Sequence, residues 1–338
     1  MNHDPDRSAG STRWGILGTA RIAAKALLPA LRDSGAVASV VGGRDLERSI
    51  AFASENGVDR AVHGYEAVIE SPDVDVVYNP LPNSLHGKWT IKALQAGKAV
   101  LCEKPLCGNR EEAEMVLSVA RSSQKPLWEA FVFPFHRQQY RLQEILASGT
   151  IGTLVEVHSE FNFRLTRPDD VRWQSQLGGG GLNDVGCYPV RFAQLLFGST
   201  PRRAAAFATY AHTGVDVELQ GVLEFEAGRR LLLSCGVMRD TGTFTRIVGD
   251  GGEIRVTNPF HARSWDTVEV RRGDDSSVEK LGSDAPSFTE AVRHIGRVLA
   301  QEEPPRHTAI DDSMATEVGL DLLRRSALAA VEEPAPVD

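Results

Sequence analysis

Cysteine is scarce in this chain: there are four in 338 residues, Cys102, Cys107, Cys187 and Cys235. Their spacing matches neither a zinc site nor a disulfide framework, so no metal is expected and the thiols read as small core residues. Long apolar runs are lacking too. No stretch approaches the ~20 residues that span a bilayer. The polar segment 1–12 has no apolar signal region and reads as a disordered leader of a cytoplasmic protein. A basic block is also missing: the net charge is −8, both signs are interspersed, and arginine far outnumbers lysine. Without clustered cations to release counterions from a phosphate backbone, neither nucleic acid nor an anionic membrane is expected as a partner. What is present is a globular balance, 42% hydrophobic and 24% charged, in a chain long enough for two domains.

The first half alternates strand and helix patterns. Residues 13–17, 36–41, 74–78 and 99–101 read as strands, and 22–33, 46–55, 85–96 and 110–122 as helices with apolar positions at helical spacing. Asp45 can cap the second helix, and Gly97 stands where the third wants a left-handed residue. This alternation predicts an α/β Rossmann domain over 13–148, a parallel sheet covered on both faces. After Gly149 the texture changes. Strand patterns at 154–163, 203–210, 217–225, 230–237, 244–248, 253–256 and 267–271 follow with little helix between them, except at 190–197, 288–301 and 309–329. An α+β domain over 149–338 is expected, with an open, mostly antiparallel sheet. Its terminal helices are free to pack back on the first domain, and the tail 332–338 reads as frayed.

Gly18, Thr19, Ala20, Arg21 and Ile22 join the first strand directly to a helix. A dinucleotide-binding turn needs small residues there, so that a pyrophosphate can reach backbone N–H groups. The G-x-G-x-x-G pattern is met by Gly18, Ala20 and Ala23, and a plain tight turn would look the same. Its position at the head of a β-α series favours the dinucleotide. At the end of the second strand, where an NAD enzyme places Asp or Glu, stands Gly43, followed by Arg44 and, one turn on, Arg48. Guanidinium groups suit the 2′-phosphate of NADP, so NADP is expected; NAD is the alternative if Asp45 takes the ribose.

The loop Asn79-Pro80-Leu81-Pro82-Asn83-Ser84-Leu85-His86 follows a strand's carboxyl end, where ligands bind in open parallel sheets. Pro80, Leu81 and Asn83 are expected along the cofactor, Asn83 or Ser84 as a helix cap, and His86 as a helix-start or cofactor contact. The next strand ends in Glu103-Lys104-Pro105. A lysine there can polarise a carbonyl oxygen, or it can be a surface residue paired with Glu103. Further on, Gly178–Gly181 reads as a flexible turn or as a close approach to a ligand. Asp184 reads as a helix cap or an active-site group, Arg172 and Trp173 as a surface cation–π pair, and Phe133, Phe135 and His136 as pocket lining or core.

Gly18-Thr19-Ala20, Pro80 to His86, Glu103-Lys104-Pro105, Glu129-Ala130-Phe131 and Gly179 to Tyr188 occur in the order seen in the Gfo/Idh/MocA oxidoreductases, which the chain resembles from Arg13 to about Phe197 and more loosely to Ala329. The resemblance implies a catalytic Lys104, a cis bond before Pro105, Tyr65, Glu103 and Lys104 among the cofactor contacts, Arg172 and Trp173 reaching cofactor or substrate across the cleft, and a homodimer or homotetramer formed through the C-terminal sheet. Many members carry His where this chain has Tyr188, and Tyr is similar to the subgroup with dihydrodiol dehydrogenases and deoxysugar ketoreductases. Beside an ammonium, Tyr188 is expected to shift towards phenolate. The expected activity is an NADP-dependent oxidoreductase acting on CH–OH groups, with Lys104, Tyr188 and Asp184 as catalytic residues and a sugar, keto-sugar or nucleotide-linked sugar as substrate. Arg164, Arg167 and Arg172 are expected to offer charge to a diphosphate. Alternatives are a trans-dihydrodiol or polyol dehydrogenase, or a non-catalytic NADP-binding redox sensor.

Overall fold

The computed structural model describes residues 11–332. Of the expected leader only Ser11 and Thr12 are among them, and Thr12 belongs to the fold: its carbonyl accepts the Val37 N–H at 2.9 Å. The rest of the leader, and the tail beyond 332, lie outside the described residues.

The first sheet has six parallel strands: β1 (Arg13–Leu17), β2 (Val37–Gly43), β3 (Arg60–His63), β4 (Val76–Asn79), β5 (Ala99–Cys102) and β6 (Leu127–Glu129). Their order, β3-β2-β1-β4-β5-β6, is doubly wound, with a topological switch between β1 and β4. The connecting helices are α1 (Leu28–Ser34), α2 (Leu46–Asn56), α3 (Glu66–Ile69), α4 (His86–Gln95) and α5 (Arg110–Ser123). The caps behave as expected, with Asp45 Oδ1 accepting the Arg48 N–H at 3.1 Å and Gly97 at φ +79°. The helix expected at 22–33 is not uniform: Ala23–Leu27 is wound as π-helix. Pro29 lacks the N–H an uninterrupted α-helix needs, and the wider turn absorbs the loss. The elements β3, α3 and β6 were not expected, being only four, four and three residues long.

α6 (Arg137–Ala147) leads into an eight-stranded sheet of β7 (Leu154–Arg164), β8 (Arg203–Tyr210), β9 (Asp216–Glu224), β10 (Arg230–Gly236), β11 (Met238–Gly249), β12 (Gly252–Val256), β13 (Thr267–Arg272) and β14 (Asp275–Lys280). The order is β14-β13-β12-β11-β7-β10-β9-β8, antiparallel except where β7 meets β10. One face is covered by α7 (Cys187–Phe197) and α9 (Ala309–Glu332). Val190, Phe192, Leu320 and Leu323 there pack with Leu219, Leu231 and Ile247 of the strands. The helix expected at 190–197 starts eight residues earlier, as a π-helical turn Leu182–Gly186 that runs into α7. Pro189 in its path has no N–H to give, as at Pro29. α8 (Thr289–Leu299) and the start of α9 pack on the first domain: Val292 and Ile295 join the core of α1, and Ala309 joins that of α5. Among the described residues no helix is long and apolar enough to cross a membrane.

Candidate active site

A cleft of about 1180 Å³ runs along the carboxyl ends of β1, β2, β4 and β5 and is closed by the second domain. Its cofactor end is lined by Gly18, Thr19, Ala20, Arg21, Ile22, Gly43, Arg44, Arg48, Tyr65, Pro80, Leu81 and Asn83. Gly18 has φ +78°, a left-handed conformation, and a Cβ there would stand 3.2 Å from Leu81. The first helical turn closes with the Ala23 N–H donating to Ala20 O at 3.1 Å, so the N–H groups before it have no intrahelical partner. Arg44 and Arg48 form no ion pair among the described residues. Backbone donors, a residue that tolerates close approach and two unpaired guanidiniums fit a dinucleotide with an extra phosphate.

At the reactive end, residues about eighty positions apart converge. Lys104 Nζ donates to Asp184 Oδ1 at 3.1 Å and to Asp184 O at 2.7 Å, and lies 5.2 Å from the Tyr188 ring centroid. Asp184 Oδ2 accepts from Arg172 Nε at 2.5 Å, and Arg172 Nη1 donates to Asp170 Oδ1 at 3.0 Å. Asp170, itself buried, also pairs with Arg167. Asp184 and Tyr188 are four residues apart on the π/α7 helix, so both face Lys104. Gly186 lets that helix press on β10, since a Cβ there would stand 2.7 Å from Cys235 Sγ. Phe131, Phe161 and Phe260 surround Tyr188, each with its ring centroid at 5.2 Å.

This packing sets the protonation states. Burial works against the Lys104 ammonium, but Asp184 beside it prevails and raises the pKa above the ordinary lysine value. Burial likewise opposes the Asp184 carboxylate, and Lys104 and Arg172 outweigh it, holding the pKa low. For Tyr188 the balance reverses. Burial raises the phenol, and Lys104 offsets that only in part. The expected shift towards phenolate is therefore wrong in the free protein: Tyr188 holds its proton. Burial also raises all four free thiols, which leaves them poor nucleophiles.

Several other expectations need correction. Lys104 does not pair with Glu103, whose Oε1 accepts the Tyr78 hydroxyl at 2.7 Å. His86 does open α4, but it is fully buried and does not line the cleft; its Nδ1 and Nε2 lie 2.8 and 2.7 Å from Pro105 O and Leu81 O, tying the two loops together. Neither Asn83 nor Ser84 caps α4: Asn83 Nδ2 donates across the cleft to Gly178 O at 2.8 Å. Trp173 lies outside the cleft against Val215, Val217 and Val237, and Arg172 stacks over Phe163 at 5.8 Å instead of over Trp173. Asp184 caps nothing; the Leu182 N–H is taken by Asp216 at 2.6 Å. Gly178, Gly179 and Gly180 line the cleft, and the turn also lies close against protein, since a Cβ on Gly180 would meet Asp216 at 2.3 Å. Phe133 is a core residue, whereas Phe135 and His136 line a second chamber beside the cleft. The bond before Pro105 is cis, as expected. Asp170, Asp216 and His261, which also lines the cleft, carry no local sequence signal.

A doubly wound nucleotide fold opening onto a buried Lys-Asp-Tyr centre defines a two-domain dinucleotide-dependent oxidoreductase. Comparison with known proteins agrees. The oxidoreductase family with an NAD-binding Rossmann fold, GFO_IDH_MocA, matches residues 12–131, and the GFO/IDH/MocA C-terminal domain matches 140–255. The chain belongs to the Gfo/Idh/MocA oxidoreductase family. Over 316 residues it is 33% identical to D-xylose 1-dehydrogenase (NADP(+)) 2 of Haloferax volcanii, covering 93% of this chain and 97% of the relative. It is 32% identical to the dTDP-3,4-didehydro-2,6-dideoxy-alpha-D-glucose 3-reductase of Streptomyces violaceoruber, covering 90% and 92%. The crystal structure of a 3-ketoreductase from Actinomadura kijaniata with NADP and TDP-benzene superposes with a TM-score of 0.87 at 30% identity, covering 94% and 98%.

Proposed function

We propose that the protein is an NADP-dependent oxidoreductase that moves hydride to or from a sugar, reducing a keto-sugar or oxidising a free sugar at a CH–OH carbon. The observation that carries this reading is a single cleft with two unpaired arginines beside Gly18 at one end and a protonated phenol beside a fixed ammonium at the other. The relatives named above, an NADP-dependent sugar dehydrogenase and keto-sugar reductases, support it. The group that Gly18, Thr19, Ala20, Arg21, Ile22, Arg44 and Arg48 would hold is NADP, whose nicotinamide is the hydride donor or acceptor.

Lys104 and Tyr188 supply the rest. In reduction Tyr188 gives its proton to the carbonyl oxygen, and in oxidation the phenolate takes it back. Lys104 stabilises the negative charge that builds on that oxygen and on the phenolate left behind. Its ammonium is already held by Asp184, itself held by Arg172, so little reorganisation is needed as charge develops. A redox sensor without turnover would have no use for this arrangement.

The same reading takes the protein as cytoplasmic and as a homo-oligomer. Across the outer face of the large sheet, Phe207, Gln220, Ser234, Glu160 and Phe244 form one register row, with Phe207 71% exposed. Phe207→Glu is expected to dissociate the assembly in sedimentation analysis. The test of the activity is a panel of sugars, keto-sugars and diols with NADP and NAD in parallel, following nicotinamide absorbance. Turnover of a sugar with NADP preferred supports the reading; no turnover of any carbonyl or hydroxyl compound with either cofactor overturns it.

A further inference from the structure

Beside the reactive end lies a second chamber of about 640 Å³, which shares His261 and Ser287 with the main cleft. His261 stands at the junction. Its ring lies 5.6 Å from that of Tyr188 at 66°, and neither ring nitrogen has a hydrogen-bond partner among the described residues. Burial, with His136 and Lys104 nearby, pushes the imidazole down to about 4, so it is neutral at physiological pH. A neutral imidazole offers one donor and one acceptor, the complement of a sugar hydroxyl.

The chamber is also lined by Arg137 and Arg263. Neither guanidinium is ion-paired among the described residues. Glu279, whose carboxylate feels Arg137, is gripped by Arg141 through both oxygens at 2.8 to 3.2 Å. Arg263 lies over the Trp265 ring at 5.4 Å. Of the two carboxylates on the chamber wall, Glu290 is held by Arg293 at 2.7 Å, and Asp284 accepts the Ser264 N–H at 3.3 Å. The arginines expected from sequence to meet a diphosphate stand differently. Arg167 and Arg172 are tied to Asp170 and Asp184, and of the three only Arg164 is free of an ion pair among the described residues.

We propose that the second chamber is a substrate subsite: Arg137 and Arg263 hold a phosphate ester carried by the sugar, and His261 hydrogen-bonds a ring hydroxyl at the junction. This rests on the reading of the protein as a sugar oxidoreductase. The phosphate ester belongs to a sugar phosphate or to a nucleotide-linked sugar.

Two measurements test it. In the first, inorganic pyrophosphate is titrated calorimetrically into protein saturated with NADP. Arg137→Ala/Arg263→Ala should weaken its binding about tenfold or more, the scale of lost charge-assisted hydrogen bonds, whereas Arg164→Ala should not change it. Both arginines are exposed, so the double variant keeps its fold. In the second, a free sugar, its 1-phosphate and its nucleotide-linked form are compared as substrates. The double variant should raise KM about tenfold for the phosphorylated forms and leave the free sugar unchanged. A gain from phosphate alone identifies a sugar phosphate, and a gain only in the nucleotide-linked form identifies that class. His261→Phe should raise KM for all three, with NADP affinity unchanged. No pyrophosphate binding, equal binding in wild type and double variant, or loss on Arg164→Ala overturns the subsite, even if sugars are turned over. If pyrophosphate binds through the two arginines and no sugar reacts, the oxidoreductase reading falls and the anion site stands.

Discussion

The cleft holds its positive charge in two different ways. At the cofactor end Arg44 and Arg48 carry no ion pair among the described residues, and the small residues Gly18, Thr19, Ala20 and Gly43 line the wall beside them. At the reactive end Lys104 and Arg172 are each bound to buried carboxylates, in a chain that runs from Lys104 through Asp184 and Arg172 to Asp170. An unpaired cation on a surface is available to a ligand's charge, and binding is its natural use. A cation locked into a buried network cannot turn to meet a ligand; what it offers is a fixed field, which stabilises charge that appears during reaction. Position along the cleft thus separates residues that hold from residues that react.

The sharpest way to break this comparison is to remove the reactive pair. Lys104→Met and Tyr188→Phe should each lower kcat by about 10²-fold or more, the scale of lost acid–base catalysis, with NADP affinity by fluorescence titration unchanged. Near-normal turnover in both would reduce the reactive end to a structural ion network.

Asp184→Asn tests whether the network sets the state of Lys104. Burial alone lowers a lysine pKa, and Asp184 is the strongest influence opposing it. Without the carboxylate the ammonium should lose its proton at lower pH than in wild type. Activity that needs the charged lysine then falls on the alkaline side, so the alkaline limb of the kcat–pH profile moves to lower pH. At neutral pH kcat should drop by about tenfold or somewhat more. An unshifted alkaline limb would show that Asp184 only holds the helix in place.

At the cofactor end the expected effect is smaller and confined to binding. Arg44→Ala and Arg48→Ala should each weaken NADP by about tenfold, in line with one charge-assisted hydrogen bond, and leave NAD unchanged. Equal loss for both cofactors would mean that these arginines do not read the 2′-phosphate.

The same division explains what could be read from the sequence. The Asp45 cap and Gly97 act through neighbours a few residues away, and Gly18 through the tight turn it opens, so local pattern sufficed for β1, β2, β4 and β5 of the first sheet and for the cofactor turn. The reactive end depends on pairings such as Lys104 with Asp184, which only the fold makes. Sequence could nominate Lys104, Tyr188 and Asp184, but not that Asp184 rather than Glu103 pairs with Lys104, nor Asp170 and His261. It also misjudged the Tyr188 proton, because the charge of Lys104 was visible and the burial that outweighs it was not. Short or polar elements were lost for a simpler reason: β6 has three residues, and β14, Asp-Ser-Ser-Val-Glu-Lys, has the polar composition of an edge strand.

The smallest effect comes from a buried charge group outside both ends of the cleft. Glu317 on α9 is buried, its Oε1 has no hydrogen-bond partner among the described residues, and burial together with Glu129 pushes its carboxyl up to about 8. The folded state therefore binds this proton more tightly than the unfolded chain, where an ordinary glutamate titrates near 4.5. Its contribution to stability is complete below that value and is lost as pH rises from there through about 8. Glu317→Gln keeps the shape and removes the titration. Between pH 6 and 9 the wild-type Tm should fall by about 3 °C more than that of the variant. Parallel Tm–pH curves would mean that Glu317 is ionised in the fold, held so by Arg324, whose charge already works against the upward shift.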